Sequence, residues 1–101
     1  MKTSEYFLVC LIEELAELQQ SVSKMIRFTI NHQYEDYDKT NLQNFQSEFN
    51  DVLATLNILM SISDINIKVN SEEINKAVTR KIEMLRKSIE LGVVDNGNST
   101  N

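Results

Sequence analysis

Residues 8–26 read LVCLIEELAELQQSVSKMI, and this stretch decides the fold class. Its apolar side chains recur every three or four residues, which is the spacing that places them on one face of an α-helix. These side chains are Leu8, Leu11, Leu15, Leu18, Val22, Met25 and Ile26. Residues 1–91 contain neither proline nor glycine, so no strong helix breaker interrupts the pattern. We therefore predict a first helix from about Ser4 to Ile30.

The scarcity of glycine and proline also excludes other fold classes. The 101-residue chain has no proline, and its two glycines are Gly92 and Gly97. β-Sandwiches, β-barrels and glycine-rich phosphate loops all depend on tight turns that glycine and proline form most readily. We predict an all-α bundle of three main helices. It should form one domain over residues 1–93, followed by a flexible polar tail at residues 94–101.

Two more helices follow the first. Thr40 and Gln43 form a capping box that predicts the start of the second helix, which should fade near Ser63. Its apolar side chains are Phe45, Phe49, Val52, Leu56, Leu59 and Ile62. Residues 64–70 are expected to form an extended connector. Asn70 or Ser71 caps the third helix, and Gly92 fits the position just after its end. The apolar stripe of the third helix contains Ile74, Val78, Ile82, Leu85 and Ile89.

The charge of the chain limits its partners. With 10 Lys and Arg against 15 Asp and Glu, the net charge is −5, which argues against binding to nucleic acid or to an anionic membrane surface. No apolar run approaches the roughly 20 residues that span a bilayer. Cys10 is the single cysteine, so no internal disulfide can form, and a cytoplasmic location is expected. An acidic chain remains compatible with a divalent cation.

Two pairs of acids have matching positions on the first two helices. Glu14 and Glu17 flank the apolar stripe of the first helix, and Glu48 and Asp51 flank that of the second on the same side. If the helices pack together, four uncompensated carboxylates would repel by several kcal/mol. Protonation, separation by solvent or a bound divalent metal would relieve this repulsion. A solvated helix edge is the plainer alternative.

Among metals, the oxygen ligands suit Mg²⁺ best, with Mn²⁺ as a possible substitute. Zinc is disfavoured because the chain has one histidine and one cysteine. Ser21 and Thr55 fall beside the acids on their helices and are candidates for the wall of a pocket.

The acids also carry a resemblance to a known family. Glu13-Glu14-Leu15-Ala16-Glu17, followed by Glu48-Phe49-Asn50-Asp51, resembles the EExxE…ExxD signature of the MazG-like all-α nucleoside triphosphate pyrophosphatases. Residues 23–28, SKMIRF, resemble the SKxxRF stretch of small phage-type and bacterial members. The resemblance extends from about Leu8 to Ser88.

This resemblance implies Mg²⁺-dependent hydrolysis of a nucleoside or deoxynucleoside triphosphate to the monophosphate and pyrophosphate, as in cleaning of the nucleotide pool. The family's metal-binding and catalytic acids correspond here to Glu14, Glu17, Glu48 and Asp51, and Glu13 is expected to have an outer role. The basic residues expected to meet the phosphates are Lys24 and Lys81, followed by Arg27 and Arg80. The resemblance also implies a homodimer or homotetramer in the cytoplasm of a bacterium or of a phage-infected cell.

Other interpretations of the same residues stay open. The chain could be a non-catalytic helical module, either a homo-oligomeric adaptor or an inactive relative, with solubilising acids. It could also be a regulator that binds a cation without turnover. The aromatic loop residues His32, Tyr34 and Tyr37 could stack on a base or simply pack on the helices. Three helices with broad apolar faces in a chain of 101 residues predict oligomerisation under each of these interpretations.

Overall fold

The computed structural model describes residues 1–95 and contains three helices. They are α1 (Thr3–Phe28), α2 (Asn41–Ser61) and α3 (Ser71–Glu90), and no strand occurs within residues 1–95. The all-α prediction is therefore confirmed. The first helix ends two residues earlier than predicted and the second ends at Ser61. Most of the predicted C-terminal tail, residues 96–101, lies outside the described residues.

The chain divides into two compact units, Met1–Ile67 and Lys68–Asn101. The first unit contains α1 and α2, and the second contains α3. The single domain predicted for residues 1–93 and the predicted packing of the helices in a homo-oligomer stay predictions.

α1 and α2 pack against each other as an antiparallel hairpin. At one end, the Ser4 hydroxyl near the start of α1 donates to Asp64 Oδ2, just after α2, at 2.9 Å. At the other end, Asn41 at the start of α2 bonds to the last turn of α1. Because the helices run in opposite directions, the acid pair of α1 lies at the level of the acid pair of α2.

The buried side chain of Asn41 fixes the end of α1. Its Nδ2 donates to the carbonyl oxygens of Lys24, at 3.3 Å, and Thr29, at 2.9 Å. Thr29 has φ 84° and ψ 156°, a backbone region that is nearly exclusive to glycine. The backbone N–H groups of Asn41 and Leu42 donate to the carbonyls of His32 and Ile30. These bonds hold together the two ends of the loop at residues 29–40.

The predicted capping box of α2 is confirmed. The Gln43 N–H donates to Thr40 Oγ1 at 3.1 Å, and the Thr40 N–H donates to Gln43 Oε1 at 2.9 Å. This reciprocal pair satisfies two of the N–H groups that the helix start leaves free.

The hairpin has a small core. Among residues 1–95, the buried apolar side chains are Val52 and Leu59, both on α2. Several apolar residues of the predicted stripes are more open than expected, since Leu15 is 47% exposed and Phe49 44% exposed. The apolar face of each helix is therefore wider than the part of it that the other helix covers.

In the second unit, both predicted ends of α3 are confirmed. Asn70 caps the start, where its Oδ1 accepts from the Glu73 N–H at 3.0 Å. Gly92 follows the end with φ 78°, and its N–H donates to the Ile89 carbonyl. None of the helices within residues 1–95 is long and apolar enough to cross a membrane.

Candidate metal centre

Three carboxylates meet on one side of the hairpin. One oxygen from each of Glu14, Glu17 and Glu48 lies within 4.8 Å of the other two. Glu14 and Glu17 are three residues apart on α1 and thus share a face of that helix. The antiparallel packing brings Glu48 of α2 to the same place. The structure therefore assembles three of the four acids that the sequence singled out as metal ligands.

Two of these carboxylates have a buried oxygen. Glu14 Oε2 and Glu48 Oε2 are shielded from solvent and have no hydrogen-bond partner among the described residues. Glu17, in contrast, is exposed. A buried acceptor without a partner is unfavourable, and more so when it carries charge. A proton or a cation at this position would remove the penalty.

Burial and mutual repulsion raise the pKa values of the same two groups. Partial burial of Glu14 and the negative charges of Glu17, Asp51 and Glu13 raise its pKa above 4.5. The pKa of Glu48 is raised by burial, then by a hydrogen bond with Glu17 and by the charges around it. Both carboxyl groups therefore bind a proton more readily in the folded chain than an ordinary glutamate does.

Asp51 and Glu13 lie near this cluster without joining it. Asp51 is not one of the three residues whose oxygens lie within 4.8 Å, but its charge raises the pKa of both Glu14 and Glu48. Glu13 is exposed, and its charge contributes least to the raised pKa of Glu14. Their roles as a fourth ligand and an outer residue stay predictions.

Ser21 and Thr55 are buried in the hairpin, and their hydroxyls are already satisfied. The Ser21 hydroxyl donates to the Leu18 carbonyl at 2.7 Å, and the Thr55 hydroxyl donates to the Asp51 carbonyl at 3.0 Å. Small side chains that bond to their own helix allow close packing of α1 and α2. Their part in the wall of a nucleotide pocket stays a prediction.

The basic residues have different surroundings. Lys24 is half-buried on α1, while the guanidinium of Arg27 lies 5.0 Å from the centre of the Phe28 ring. Arg80 and Lys81 are exposed on α3, in the second unit. For all four, the predicted contact with phosphate remains a prediction.

The loop at residues 29–40 forms a pocket that the sequence did not reveal. The pocket has a volume of about 420 Å³ and is lined by Lys24, Tyr34, Asp36 and Tyr37. Tyr34 also packs edge-on against Phe28, with ring centroids 5.9 Å apart. Tyr34 and Tyr37 were candidates from the sequence, whereas Asp36 was not, because one acid in a polar loop gives no signal before the loop folds.

Comparisons with protein-family models, with curated proteins and with solved structures found no match. The relation to the MazG-like pyrophosphatases therefore stays a prediction from the acid motif.

Proposed function

We propose that this protein is a Mg²⁺-dependent nucleoside triphosphate pyrophosphohydrolase that converts a nucleoside or deoxynucleoside triphosphate to its monophosphate and pyrophosphate. The observation that carries the proposal is the convergence of Glu14, Glu17 and Glu48, whose oxygens lie within 4.8 Å of one another. Oxygen ligands about 2.1 Å from an octahedral ion lie roughly 3 to 4 Å apart, so the cluster has a suitable size.

The two buried carboxylate oxygens without hydrogen-bond partners in the described part of the chain give a second argument. Glu14 Oε2 and Glu48 Oε2 are buried without hydrogen-bond partners among residues 1–95. A divalent cation would supply a partner to both and would compensate the repulsion that raises their pKa values. Glu14, Glu17 and Glu48 would hold the ion, and Mn²⁺ would be accepted in place of Mg²⁺ because it also prefers oxygen ligands. Asp51, one turn beyond Glu48 on α2, is proposed as a further ligand.

The chemistry needs a nucleophile, a base and a means of neutralising phosphate charge. When bound, Mg²⁺ would neutralise the phosphate oxygens and lower the pKa of an adjacent water. The oxygen of a water molecule bonds to the α-phosphorus, and the bond from this phosphorus to the oxygen that bridges it to the β-phosphorus breaks. Pyrophosphate leaves, and one of the clustered carboxylates accepts the proton of the attacking water.

Basic side chains would hold the triphosphate. Lys24 lies two helical turns after Glu17 on nearly the same face of α1, roughly 10 Å further along the helix axis. Its ammonium group is proposed to bind a phosphate oxygen. Arg27, Lys81 and Arg80 are proposed as further phosphate contacts. The chain is net negative, so these contacts and the cation together have to attract an anionic substrate.

The proposal is tested by measuring pyrophosphate release from a panel of deoxynucleoside triphosphates with Mg²⁺, beside a double variant, Glu48→Ala/Asp51→Ala. We expect release by the wild type and none by the variant. Absence of turnover on every nucleotide, with a melting temperature that Mg²⁺ leaves unchanged, would contradict it.

A second candidate function is a non-catalytic helical module that assembles with copies of itself. The observation in its favour is the exposure of apolar side chains on α3, where Ile74, Val78 and Ile82 are each about half exposed. This candidate predicts an oligomer without turnover. Oligomerisation as a homodimer or homotetramer is equally part of the first proposal, as are a cytoplasmic location and the absence of a nucleic-acid partner.

A further inference from the structure

The pocket beside α1 has the composition of a binding site for a planar, hydrogen-bonding ligand. Its volume of about 420 Å³ falls within the range of roughly 300–1,000 Å³ that is usual for small-molecule sites. Two of its four lining residues are tyrosines, Tyr34 and Tyr37, which are 41% and 47% exposed. Aromatic rings that are this open can cover the face of a nucleobase by stacking.

The loop that forms the pocket is held in place by its own contacts. The Tyr37 N–H donates to the Tyr34 carbonyl at 3.0 Å, which closes a tight turn with Asp36 inside it. The Tyr37 carbonyl accepts from Gln33 Nε2 at 2.8 Å, and the Tyr37 hydroxyl donates to Asn44 Oδ1 of α2 at 3.4 Å. The lining residues therefore have a defined place before any ligand binds, which lowers the entropic cost of binding.

Lys24 relates the position of the pocket to that of the carboxylate cluster, because it lies on the same helix as Glu14 and Glu17. This residue lines the pocket and also lies on nearly the same face of α1 as Glu17, roughly 10 Å further along the axis. The sugar and first phosphates of a nucleotide can span that distance. A triphosphate held at the cluster would thus place its base in the direction of the pocket.

Asp36 gives the pocket a carboxyl group whose hydrogen bonding would distinguish between bases. An ionised carboxylate only accepts hydrogen bonds, so it favours a base edge with adjacent N–H donors. Guanine presents two such donors side by side, the ring N1–H and the exocyclic amino group. Adenine and cytosine present one amino group next to a ring nitrogen that accepts. Thymine and uracil present a single N–H between two carbonyl oxygens, which the carboxylate would repel.

We infer that the pocket of Lys24, Tyr34, Asp36 and Tyr37 binds the base of the substrate and selects guanine nucleotides. This inference rests on the proposed function and names its substrate class. Tyr34 and Tyr37 stack on the guanine ring, Asp36 accepts from its N1–H and amino group, and Lys24 bonds to a phosphate.

The test combines turnover with binding of the product alone. The kcat/KM for the four deoxynucleoside triphosphates is measured with Mg²⁺ for the wild type, for Asp36→Asn and for Asp38→Asn. Asp38 lies two residues away in the same loop and does not line the pocket, so its variant controls for the loss of one negative charge. Binding of dGMP, dCMP and dTMP without metal is measured by calorimetry on the same three proteins.

We expect the wild type and Asp38→Asn to prefer dGTP over dTTP by about tenfold or more, the size expected for hydrogen bonds to a charged acceptor. Asp36→Asn should lose this preference and should bind dGMP about tenfold more weakly. Turnover without a guanine preference, or a preference that survives in Asp36→Asn, would overturn the inference while leaving the proposed function intact. Absence of turnover together with Asp36-dependent binding of dGMP would instead overturn the proposed function and support the pocket.

Discussion

Glu48 on α2 and Glu17 on α1 have carboxylate oxygens within 4.8 Å of each other, and a hydrogen bond with Glu17 contributes to the raised pKa of Glu48. Two ionised carboxylates this close repel each other, and the buried Oε2 of Glu48 has no hydrogen-bond partner within residues 1–95. A proton or a cation between the two helices would relieve this repulsion.

In metal-free buffer, Glu48→Gln should raise the melting temperature at pH 7. The pKa of Glu48 is raised in the folded chain, so the folded state binds more protons than the unfolded state. The stability that this carboxyl contributes is therefore fully present below its unfolded pKa and is lost as the pH rises through the folded value. The neutral variant avoids that loss, and its advantage over the wild type should shrink as the pH falls towards about 4.5.

Melting curves in EDTA from pH 4 to 8 measure this, and Glu90→Gln, at the exposed end of α3, is the charge-matched control. Added Mg²⁺ should reverse the order by stabilising the wild type, by about 2.7 kcal/mol at 100 times its Kd, but not the Glu48 variant. If the metal-free wild type and Glu48→Gln showed the same pH dependence of stability, solvent would be sufficient to screen the repulsion within the cluster.

Asn41→Ala should destabilise the hairpin by about 1–3 kcal/mol. The buried amide of Asn41 donates to the carbonyls of Lys24 and Thr29, and its loss leaves these acceptors at the end of α1 without that donor. Urea unfolding followed by circular dichroism measures the change. Asn50→Ala is the control, because Asn50 is exposed on the same helix. Equal stability of the two variants would show that the amide bonds contribute nothing.

Thr29→Gly should stabilise the protein, whereas Thr29→Ala should not. Thr29 occupies φ 84° and ψ 156°, where a residue with a Cβ is strained by about 1–3 kcal/mol. Glycine relieves the strain, although part of the gain is offset by its greater freedom in the unfolded chain. Thermal unfolding of the two variants provides the comparison, and a loss of stability in Thr29→Gly would contradict the expected strain.

The sequence predicts those parts of the structure that depend on local interactions. The capping box of Thr40 and Gln43, the cap at Asn70 and the left-handed Gly92 follow from residues a few positions apart. The approach of Glu14, Glu17 and Glu48 to one another was also predictable, because helical periodicity places each of them beside the apolar stripe of its helix.

The features that the sequence did not predict depend on contacts between residues far apart in the chain. Asn41 bonds to carbonyls 12 and 17 residues away, so its burial requires the finished hairpin. The strained backbone at Thr29, whose carbonyl accepts one of these bonds, has no signal in the neighbouring residues. Asp36 becomes part of a pocket only after the loop at residues 29–40 folds against Lys24. The exposure of Phe49 likewise reflects how much of α2 the facing helix covers.

We expect light scattering at micromolar concentration to give a mass of at least twice 11.7 kDa. The exposed apolar side chains of α3 favour association, and Ile82→Glu should lower the measured mass. Met84→Glu is the control, because Met84 is also exposed but lies on the other side of α3 from Ile82. A clean 11.7 kDa wild-type species would refute oligomerisation.

In the proposed reaction, the carboxylates of Glu14, Glu17 and Glu48 support cleavage between the α- and β-phosphates. Anion-exchange chromatography of deoxynucleoside triphosphates incubated with the protein and Mg²⁺ identifies the bond that is cleaved. We expect monophosphate and pyrophosphate as products, a decrease of both by about 100-fold or more in Glu48→Gln, and no change in Glu90→Gln. Diphosphate and free phosphate as products, or wild-type activity in Glu48→Gln, would contradict it.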